Sequence, residues 1–309
     1  MPLQFEKINS TEFKKLPPRQ TVFFFPVGPM EDHGPHLPLG FDLEEAYGVC
    51  ELSSQRLERE MPGWVGVIMP RCPLGIESNT KQIAITVRPH VLRDWLVDAC
   101  RSLIQMGFFH FVCISGHRGP KQLTAIEEAG KIIRRTPKWL LKKNRPELVS
   151  AYSALIPPSQ QLRSPLWPDC AEHGGKDDTS IALFLGHFLK KDLVDPTYQS
   201  LIPIERDDSF WRRRLEFMRG QVPGYWGNPA GADSKTGQEI TEHTLDVLFP
   251  KLRAVWEGAN PESIFRSWYS VFPSNKSFFK SWVLFSMIFL VLVFWTYYSL
   301  KLIMMELPG

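Results

Sequence analysis

A stretch of twelve residues near the N-terminus, EDHGPHLPLGFD (31–42), is rich in side chains that bind metal ions. Glu31, His33 and Asp42 offer carboxylate and imidazole groups, which are typical ligands of zinc and manganese in proteins. A carboxylate can bridge two ions, so these residues can serve a two-metal site if other segments complete it. His36, in the same loop, either lines the pocket or makes a structural hydrogen bond. The prolines and glycines favour a fixed loop in which the ligands converge.

Two later segments also combine histidine with charged side chains. They are SGHRGP, with His117 and Arg118, and AEHGGKDDTS, with Glu172, His173 and Asp178. The second segment has a plainer interpretation, because an acidic pair before Thr and Ser is ordinary capping chemistry at a helix start. His117 taken alone is more typical of an ordinary loop histidine than of a metal ligand. The residue types by themselves leave these alternatives open.

The pattern of apolar residues predicts strands that alternate with helices around these segments. The expected strands are 21–27, 64–70, 108–116 and 148–156, and the expected helices are 43–59, with Asp42 as its cap, 89–106, 121–135 and 179–190. This alternation is typical of an α/β domain with a largely parallel sheet. In such sheets binding sites form at the carboxyl ends of the strands. Two of the polar segments directly follow expected strands, so we expect them to lie together.

An uncharged run of 20 residues, SWVLFSMIFLVLVFWTYYSL (281–300), lies near the C-terminus. At about 1.5 Å per residue, a helix of this length spans the roughly 30 Å hydrocarbon core of a bilayer. A buried helix of a soluble protein would be expected to show a polar face, and this run shows none. We predict a transmembrane helix over 281–303, a juxtamembrane linker over 258–280 and a short tail over 304–309. Basic residues before the span favour a cytoplasmic location for residues 1–257.

The composition argues against several classes of protein. The 36 basic and 33 acidic residues are too evenly balanced to indicate a nucleic-acid partner. The five cysteines are odd in number and form no C-x-x-C pair, so neither a disulfide framework nor a structural zinc knot is indicated. We expect reduced and mostly buried thiols at Cys50, Cys72, Cys100, Cys113 and Cys170.

At these motifs the chain resembles the creatininase (creatinine amidohydrolase) family. PVGPMEDHGPHLPLGFD (26–42) is similar to the family pattern P-x-G-x-x-E-x-H-G-x-H-L-P-x-x-x-D. SGHRGP is similar to N-G-H-G-G-N, and HGGKDDTS (173–180) to H-x-G-x-x-E-T-S. GYWGNPAGADSKTGQE (224–239) looks like the family's late glycine-rich element. The resemblance covers roughly residues 10 to 257, with the motifs in the same order.

The resemblance implies a three-layer α/β/α fold, a homo-oligomer and a two-metal centre that hydrolyses a small cyclic or linear amide. The implied metal ligands are Glu31, His33, Asp42, His117 and Asp178. Asp42 would be the bridge, and the two ions would be Zn²⁺, with Mn²⁺ or Fe²⁺ as alternatives. By the same resemblance, His173 would transfer a proton to the leaving nitrogen. Glu172 would orient His173 or a metal-bound water.

Several positions depart from the family pattern. Arg118 replaces a glycine, Gly119 stands where creatinine-hydrolysing members have a glutamate, and Asp169 stands where they have a tryptophan. Asp178 replaces a glutamate and is one methylene shorter. We therefore expect creatinine not to be the substrate. His36 and Arg118 would line the pocket for another small amide, and a guanidinium would suit an anionic group such as phosphate.

These observations support hypotheses from different classes. The first is a membrane-anchored, metal-dependent amidohydrolase that acts on a small amide or formamide at the cytoplasmic face. The second is a catalytically degenerate family member that serves as a binding or scaffold protein at the membrane, which the substitutions at Arg118 and Asp178 favour. A third is a peptidase-like relative that trims a modified peptide.

Overall fold

The computed structural model describes residues 2–76, 78, 83–135, 146–151, 172–205, 224–265 and 278–306. The chain divides into two compact units, Met1–Tyr269 and Ser270–Gly309. Three positions interpreted from the sequence lie outside the described residues, namely Asp169, Cys170 and the end of the expected fourth strand, 152–156.

The first unit contains a five-stranded parallel sheet in the order β1-β4-β2-β6-β7. The strands are β1 (Leu3–Gln4), β2 (Thr21–Val27), β3 (Met30–Glu31), β4 (Val65–Ile68), β5 (Ala84–Ile85), β6 (His110–Ser115) and β7 (Glu147–Ser150). The helices are α1 (Ser10–Phe13), α2 (Phe41–Glu60), α3 (Pro89–Gln105), α4 (Pro120–Arg134), α5 (Lys176–Leu189), α6 (Ser234–Trp256), α7 (Pro261–Ile264) and α8 (Phe278–Glu306). Strands β3 and β5 form a separate antiparallel pair. The prediction of a mostly parallel α/β sheet is confirmed.

Strand β2 lies at the middle of the sheet and is buried along its whole length. Because successive side chains of a strand point to opposite faces, β2 contributes to two hydrophobic cores. Val22 and Phe24 pack with apolar residues of α2 and α6, whereas Phe23 and Phe25 pack with those of α3 and α4. Helices therefore cover both faces of the sheet, and the predicted three-layer α/β/α arrangement is confirmed.

Three helices begin at positions that matter for the site. Helix α2 begins at Phe41 with Gly40 at its N-cap, so Asp42 lies inside the first turn and is not the expected cap. Helix α5 begins at Lys176, three residues before the expected start, which places Asp178 in a first turn that favours negative charge. Helix α6 was not predicted, and its cap residue Asp233 accepts a hydrogen bond from the Thr236 amide.

The second unit contains helix α8. Its segment Leu284–Lys301 has 18 residues and a mean hydropathy of 1.6, so it is long and apolar enough to cross a membrane. Its large apolar side chains are exposed, and Phe294 and Trp295 each show 71% of their surface. The predicted limits of the linker, the span and the tail stay predictions.

The described cysteines lie in the first unit. Cys50, Cys72, Cys100 and Cys113 are all free and buried, as the sequence led us to expect.

Candidate metal centre

Parallel pairing of β2 and β6 brings the first two polar segments together. Val27 lies opposite Ser115 at the carboxyl ends of the two strands, and each strand is followed by a loop that carries candidate ligands. The loop after β6 packs directly on the start of α2. A Cβ atom at Gly116 would lie 2.0 Å from the Asp42 carbonyl oxygen, so only glycine permits this approach. Asp42 and His117 thereby come to the same place.

Glu31, Asp42 and His117 form the first group of candidate ligands, and all three are buried. Their ligand atoms lie within 4.8 Å of one another. His117 Nδ1 is 2.8 Å from Glu31 Oε1 and 3.5 Å from Asp42 Oδ2. The hydroxyl of Ser78 donates to the other Glu31 oxygen, Oε2, at 2.6 Å, which orients that carboxylate.

Glu31 also belongs to a second group, with His33 and His173, whose ligand atoms likewise lie within 4.8 Å of one another. In each imidazole one nitrogen faces a backbone carbonyl: His33 Nδ1 is 3.1 Å from the Glu31 oxygen, and His173 Nε2 is 2.7 Å from the Asp32 oxygen. Metal-binding histidines commonly use one ring N–H in this way, which orients the other nitrogen for the ion. The two groups therefore adjoin and share Glu31.

Asp42 belongs to the first group and also faces a histidine of the second. Its Oδ1 is 3.4 Å from His33 Nε2, and its Oδ2 is 3.5 Å from His117 Nδ1. The resemblance implies Asp42 as the bridging ligand, and its two oxygens do face histidines of different groups. Glu31 is the residue common to both groups, so the geometry offers two carboxylates for a bridge.

The charges of the site compensate one another. Burial alone would lower the pKa of His33, but the Asp42 carboxylate raises it to about 9. Burial would likewise lower the pKa of His117, and Asp42 with Glu31 raises it to about 10. The two imidazoles in turn outweigh burial and hold the pKa of Asp42 well below its usual value. In the absence of metal, therefore, His33 and His117 carry the positive charge that the buried carboxylates require.

The residues present fit a divalent metal centre. Asp42 Oδ2 and His117 Nε2 are buried and have no hydrogen-bond partner among the described residues. A mixed set of buried carboxylates and imidazoles is the donor chemistry of zinc and manganese sites. A buried carboxylate pair also needs nearby cations, which bound ions would supply in place of the histidine protons.

The predicted residues Asp178 and Arg118 lie outside both ligand groups. Asp178 Oδ2 accepts the backbone N–H of Gly174 at 2.8 Å, and its Oδ1 is 3.9 Å from Arg118 Nη1. The other terminal nitrogen of Arg118, Nη2, donates to the buried carboxylate of Glu45. Arg118 therefore contacts both Asp178 and Glu45.

Glu172 and His36 make contacts with the start of α5. Glu172 Oε2 accepts the backbone N–H of Lys176 at 2.6 Å and so caps the helix. His36 Nε2 is 2.8 Å from the hydroxyl of Thr179, on α5 and outside the loop of His36, and its role in lining the pocket stays a prediction. Burial lowers the pKa of His36 to about 4, so its ring is neutral at physiological pH.

Two residues beside the site were missed by sequence reasoning. The Trp226 ring stacks on His173 at 4.8 Å between centroids, and the His33 ring stacks on His173 at 4.2 Å. The backbones of His173 and Trp226 also exchange two hydrogen bonds, of 3.1 and 2.8 Å. Trp226 lies in the recognised glycine-rich segment, but nothing in that motif indicates a ring stack. Glu45 could have been found, because it is three residues after Asp42 on one helix face.

Comparisons with known proteins give the chain its family. A family model described as "Creatininase: Creatinine amidohydrolase" matches residues 6–251. A solved structure titled "Creatininase Mn" superposes with a TM-score of 0.60 at 20% identity, covering 83% of this chain and 99% of that chain. A mutant creatininase of "Zn-Zn type" gives a TM-score of 0.59 at 19% identity, with the same coverage of 83% and 99%.

A putative creatinine amidohydrolase from Bacteroides fragilis NCTC 9343 is similar as well. It gives a TM-score of 0.56 at 18% identity and covers 83% of this chain and 97% of that chain. The search of curated proteins found no match. The structural likenesses show a shared fold, and the family match spans most of the chain. This chain therefore belongs to the creatininase family.

Proposed function

We propose that the chain is a membrane-tethered, metal-dependent hydrolase of a small cyclic or linear amide or formamide. One observation carries the proposal: two groups of buried ligands, Glu31 with Asp42 and His117 and Glu31 with His33 and His173, adjoin at the carboxyl end of the sheet. The arrangement suits a two-metal centre, with Zn²⁺ as the first expectation and Mn²⁺ or Fe²⁺ as alternatives. Related structures are titled as Mn and Zn-Zn forms, which supports this choice.

When bound, divalent ions supply a water that ionises near neutral pH and polarise the amide carbonyl. The protein supplies the proton transfer that the departing nitrogen needs. Burial lowers the pKa of His173, so its ring is neutral and able to accept a proton. Because Nε2 faces the Asp32 carbonyl, Nδ1 is the atom that takes a proton from water and passes it to the leaving nitrogen.

Other residues hold His173 in place. Glu172 caps α5 through the Lys176 amide, and Trp226 covers one face of the imidazole. His173 also fits as a metal ligand, because it belongs to a ligand group. The metal content of His173→Ala separates the two roles. If His173 only transfers a proton, the variant keeps its metal; if His173 is a ligand, the variant contains less metal.

The substrate stays a matter of proposal. We infer a small amide or formamide other than creatinine, because Gly119 and Arg118 differ from the creatinine-hydrolysing pattern. His36 is neutral and buried beside the site, which suits an uncharged substrate wall. Arg118 as a binder of an anionic substrate stays a prediction, since its guanidinium already contacts Glu45 and Asp178.

The location and assembly are also proposals. Helix α8 is long and apolar enough to anchor the protein, and we propose that residues 1–257 lie on the cytoplasmic side as an amidohydrolase domain. We further propose a homo-oligomer, as the family resemblance implies. The alternative function is a degenerate scaffold protein, which is favoured by the contact of Asp178 with Arg118 and by its position outside both ligand groups.

Turnover tests the proposal against the alternative. The full chain in detergent would be offered lactams, linear amides and formamides, and the released amine or acid would be measured. We expect hydrolysis that a chelator abolishes and that Zn²⁺ or Mn²⁺ restores. His173→Ala should lose this turnover, and His187→Ala, at an exposed histidine on α5, should keep it.

Two outcomes would decide against catalysis of this kind. Hydrolysis that survives both the chelator and His173→Ala would refute the metal-dependent mechanism. Metal bound at the site with no turnover of any amide class would favour the scaffold protein.

A further inference from the structure

We propose that Glu45 is a positioning residue of the metal centre, acting through Arg118 and Asp178. These three residues form a line of charges, here called the bracket, that connects the three chain segments carrying Asp42, His117 and His173. The inference rests on the proposed metal centre and adds a residue that no motif indicates.

Glu45 begins the bracket on helix α2. It is three residues after Asp42, so both side chains project from the same side of the helix. Glu45 shows only 2% of its surface to solvent, and a carboxylate so deeply buried requires a charged partner. Arg118 provides it by donating from Nη2 to Glu45 Oε1.

Arg118 continues the bracket from the loop after β6. It directly follows His117, so fixing its side chain also restrains the backbone of that ligand. The planar guanidinium presents several donors in a rigid fork, which lets one arginine face two carboxylates. Its second terminal nitrogen, Nη1, lies 3.9 Å from Asp178 Oδ1.

Asp178 completes the bracket at the start of α5. Its Oδ2 accepts the Gly174 N–H at 2.8 Å, and Gly174 is the residue after His173. Gly174 has a φ of +58°, and a Cβ there would lie 2.4 Å from the His33 carbonyl oxygen. The His173 segment is thus packed closely against the His33 loop, and Asp178 holds the turn at Gly174.

Loss of the Glu45 charge would act on the centre in two ways. The three ligand-bearing segments would no longer be held together through one guanidinium. Arg118 would also lose a compensating anion close to Asp42 and His117, so its positive charge would oppose cation binding. Replacing residues that support metal ligands from outside typically weakens metal affinity 10- to 100-fold.

The proposed role of Arg118 in the bracket differs from a role in binding the substrate. An anion-binding arginine would affect the apparent affinity for substrate and leave the affinity for metal unchanged. The bracket instead predicts an effect on metal affinity in the absence of any substrate. The two roles can therefore be separated by a binding measurement on zinc alone.

The test compares zinc affinities of full-chain variants in detergent, by competition with a chromophoric chelator. We expect Glu45→Gln to bind zinc 10- to 100-fold more weakly than the natural chain. Glu44→Gln is the neighbouring control, since Glu44 pairs with Arg71 at 3.2 Å and with Lys191 at 2.7 Å. This control should keep the natural affinity.

A second control and a double variant sharpen the test. Glu128 is 7% exposed and pairs with Arg93 at 3.5 Å, so Glu128→Gln removes a comparably buried charge and should leave zinc affinity unchanged. If Glu45 acts through Arg118, the variant that combines Glu45→Gln with Arg118→Gln should lose about as much affinity as Arg118→Gln alone.

Hydrogen exchange gives a readout that needs no metal. Peptides covering 172–180 should exchange faster in Glu45→Gln than in Glu44→Gln, because Asp178, which accepts the Gly174 N–H, is held less firmly once Arg118 loses its bond to Glu45. If Glu45→Gln does not fold, Glu45→Asp keeps the charge on a shorter side chain, and it should bind zinc with an intermediate loss of affinity.

The outcomes separate this inference from the proposed function. Zinc affinity within twofold of the natural chain for Glu45→Gln, or an equal loss in Glu44→Gln, overturns the bracket. A natural chain that binds no zinc, manganese or iron overturns the proposed function. In that case unchanged exchange over 172–180 overturns the bracket as well, and faster exchange supports it as a device that positions this segment.

Discussion

Metal binding should release protons from His33 and His117. Without metal, the neighbouring carboxylates raise the pKa of these residues to about 9 and about 10, so both imidazoles are charged at pH 6. A histidine must lose a proton from the nitrogen that binds the ion. Loading both sites at pH 6 should therefore release about two protons per chain, one from each ligand group.

The same protons set the pH dependence of affinity. Because both pKa values lie well above pH 7, each binding constant should rise about tenfold per pH unit between pH 5 and pH 7. The product of the two constants should therefore rise about 100-fold per unit. A water on the ion, with a pKa of about 7, adds little at pH 6, so the count there reports the ligands.

Calorimetry of the full chain in detergent measures this release. Titrations with Zn²⁺ or Mn²⁺ at pH 6, in buffers of different ionisation enthalpy, give the proton count from the slope of heat against that enthalpy. His33→Ala should lower the count by about one. His110→Gln is the control, because burial lowers the pKa of His110 to about 4, and a neutral ring has no proton to release. A count near zero, or affinity independent of pH, would refute the proposed electrostatics.

Three further predictions concern packing, stability and location. Gly116→Ala should lower the free energy of unfolding by about 1–3 kcal/mol or more and reduce metal content, because the new Cβ would lie 2.0 Å from the Asp42 carbonyl oxygen; chemical denaturation and metal analysis check this. Gly258→Ala, whose Cβ meets nothing within 4 Å but whose φ of +109° strains the backbone, should lose stability and keep the metal. The metal-free chain should lose stability as the pH rises through about 9 and 10, the pKa values of His33 and His117. Their contribution to the free energy of unfolding is complete below the ordinary histidine pKa of 6.5 and disappears as the two rings deprotonate. Thermal unfolding from pH 6 to 10 measures this loss, and a flat profile would contradict it. Deletion of 278–309 should move the protein from the membrane fraction to the soluble fraction, and unchanged membrane association would disprove the anchor.

Much of the fold could be predicted because its signals are local. A continuous apolar run such as Thr21–Val27 is typical of a central strand, and the polar segments at strand ends then follow from parallel pairing. Helix starts were less predictable. Asp42 resembles a helix cap in the sequence, but the helix already begins at Phe41, with Gly40 as its N-cap. The Asp42 carboxylate faces His33 and His117 instead.

The rest of the site depends on contacts between distant parts of the chain. Glu45 and Arg118 are 73 residues apart, so no local pattern indicates their pairing. His173 and Trp226 are likewise distant in sequence and are joined by a backbone bridge between two loops. Glu172 illustrates a different difficulty, because a carboxylate beside a histidine resembles a catalytic partner, whereas its contact with the Lys176 amide is that of a helix cap.

The central claim is that Glu31, His33, Asp42 and His117 hold divalent metal ions. Elemental analysis of the purified full chain is the decisive experiment, with Asp42→Ala and the control Glu44→Gln, on the same helix, prepared in parallel. We expect about two equivalents of Zn, Mn or Fe per chain in the natural protein and in Glu44→Gln, and loss of metal in Asp42→Ala. Absence of bound metal from the natural chain, or full retention in Asp42→Ala, would contradict it.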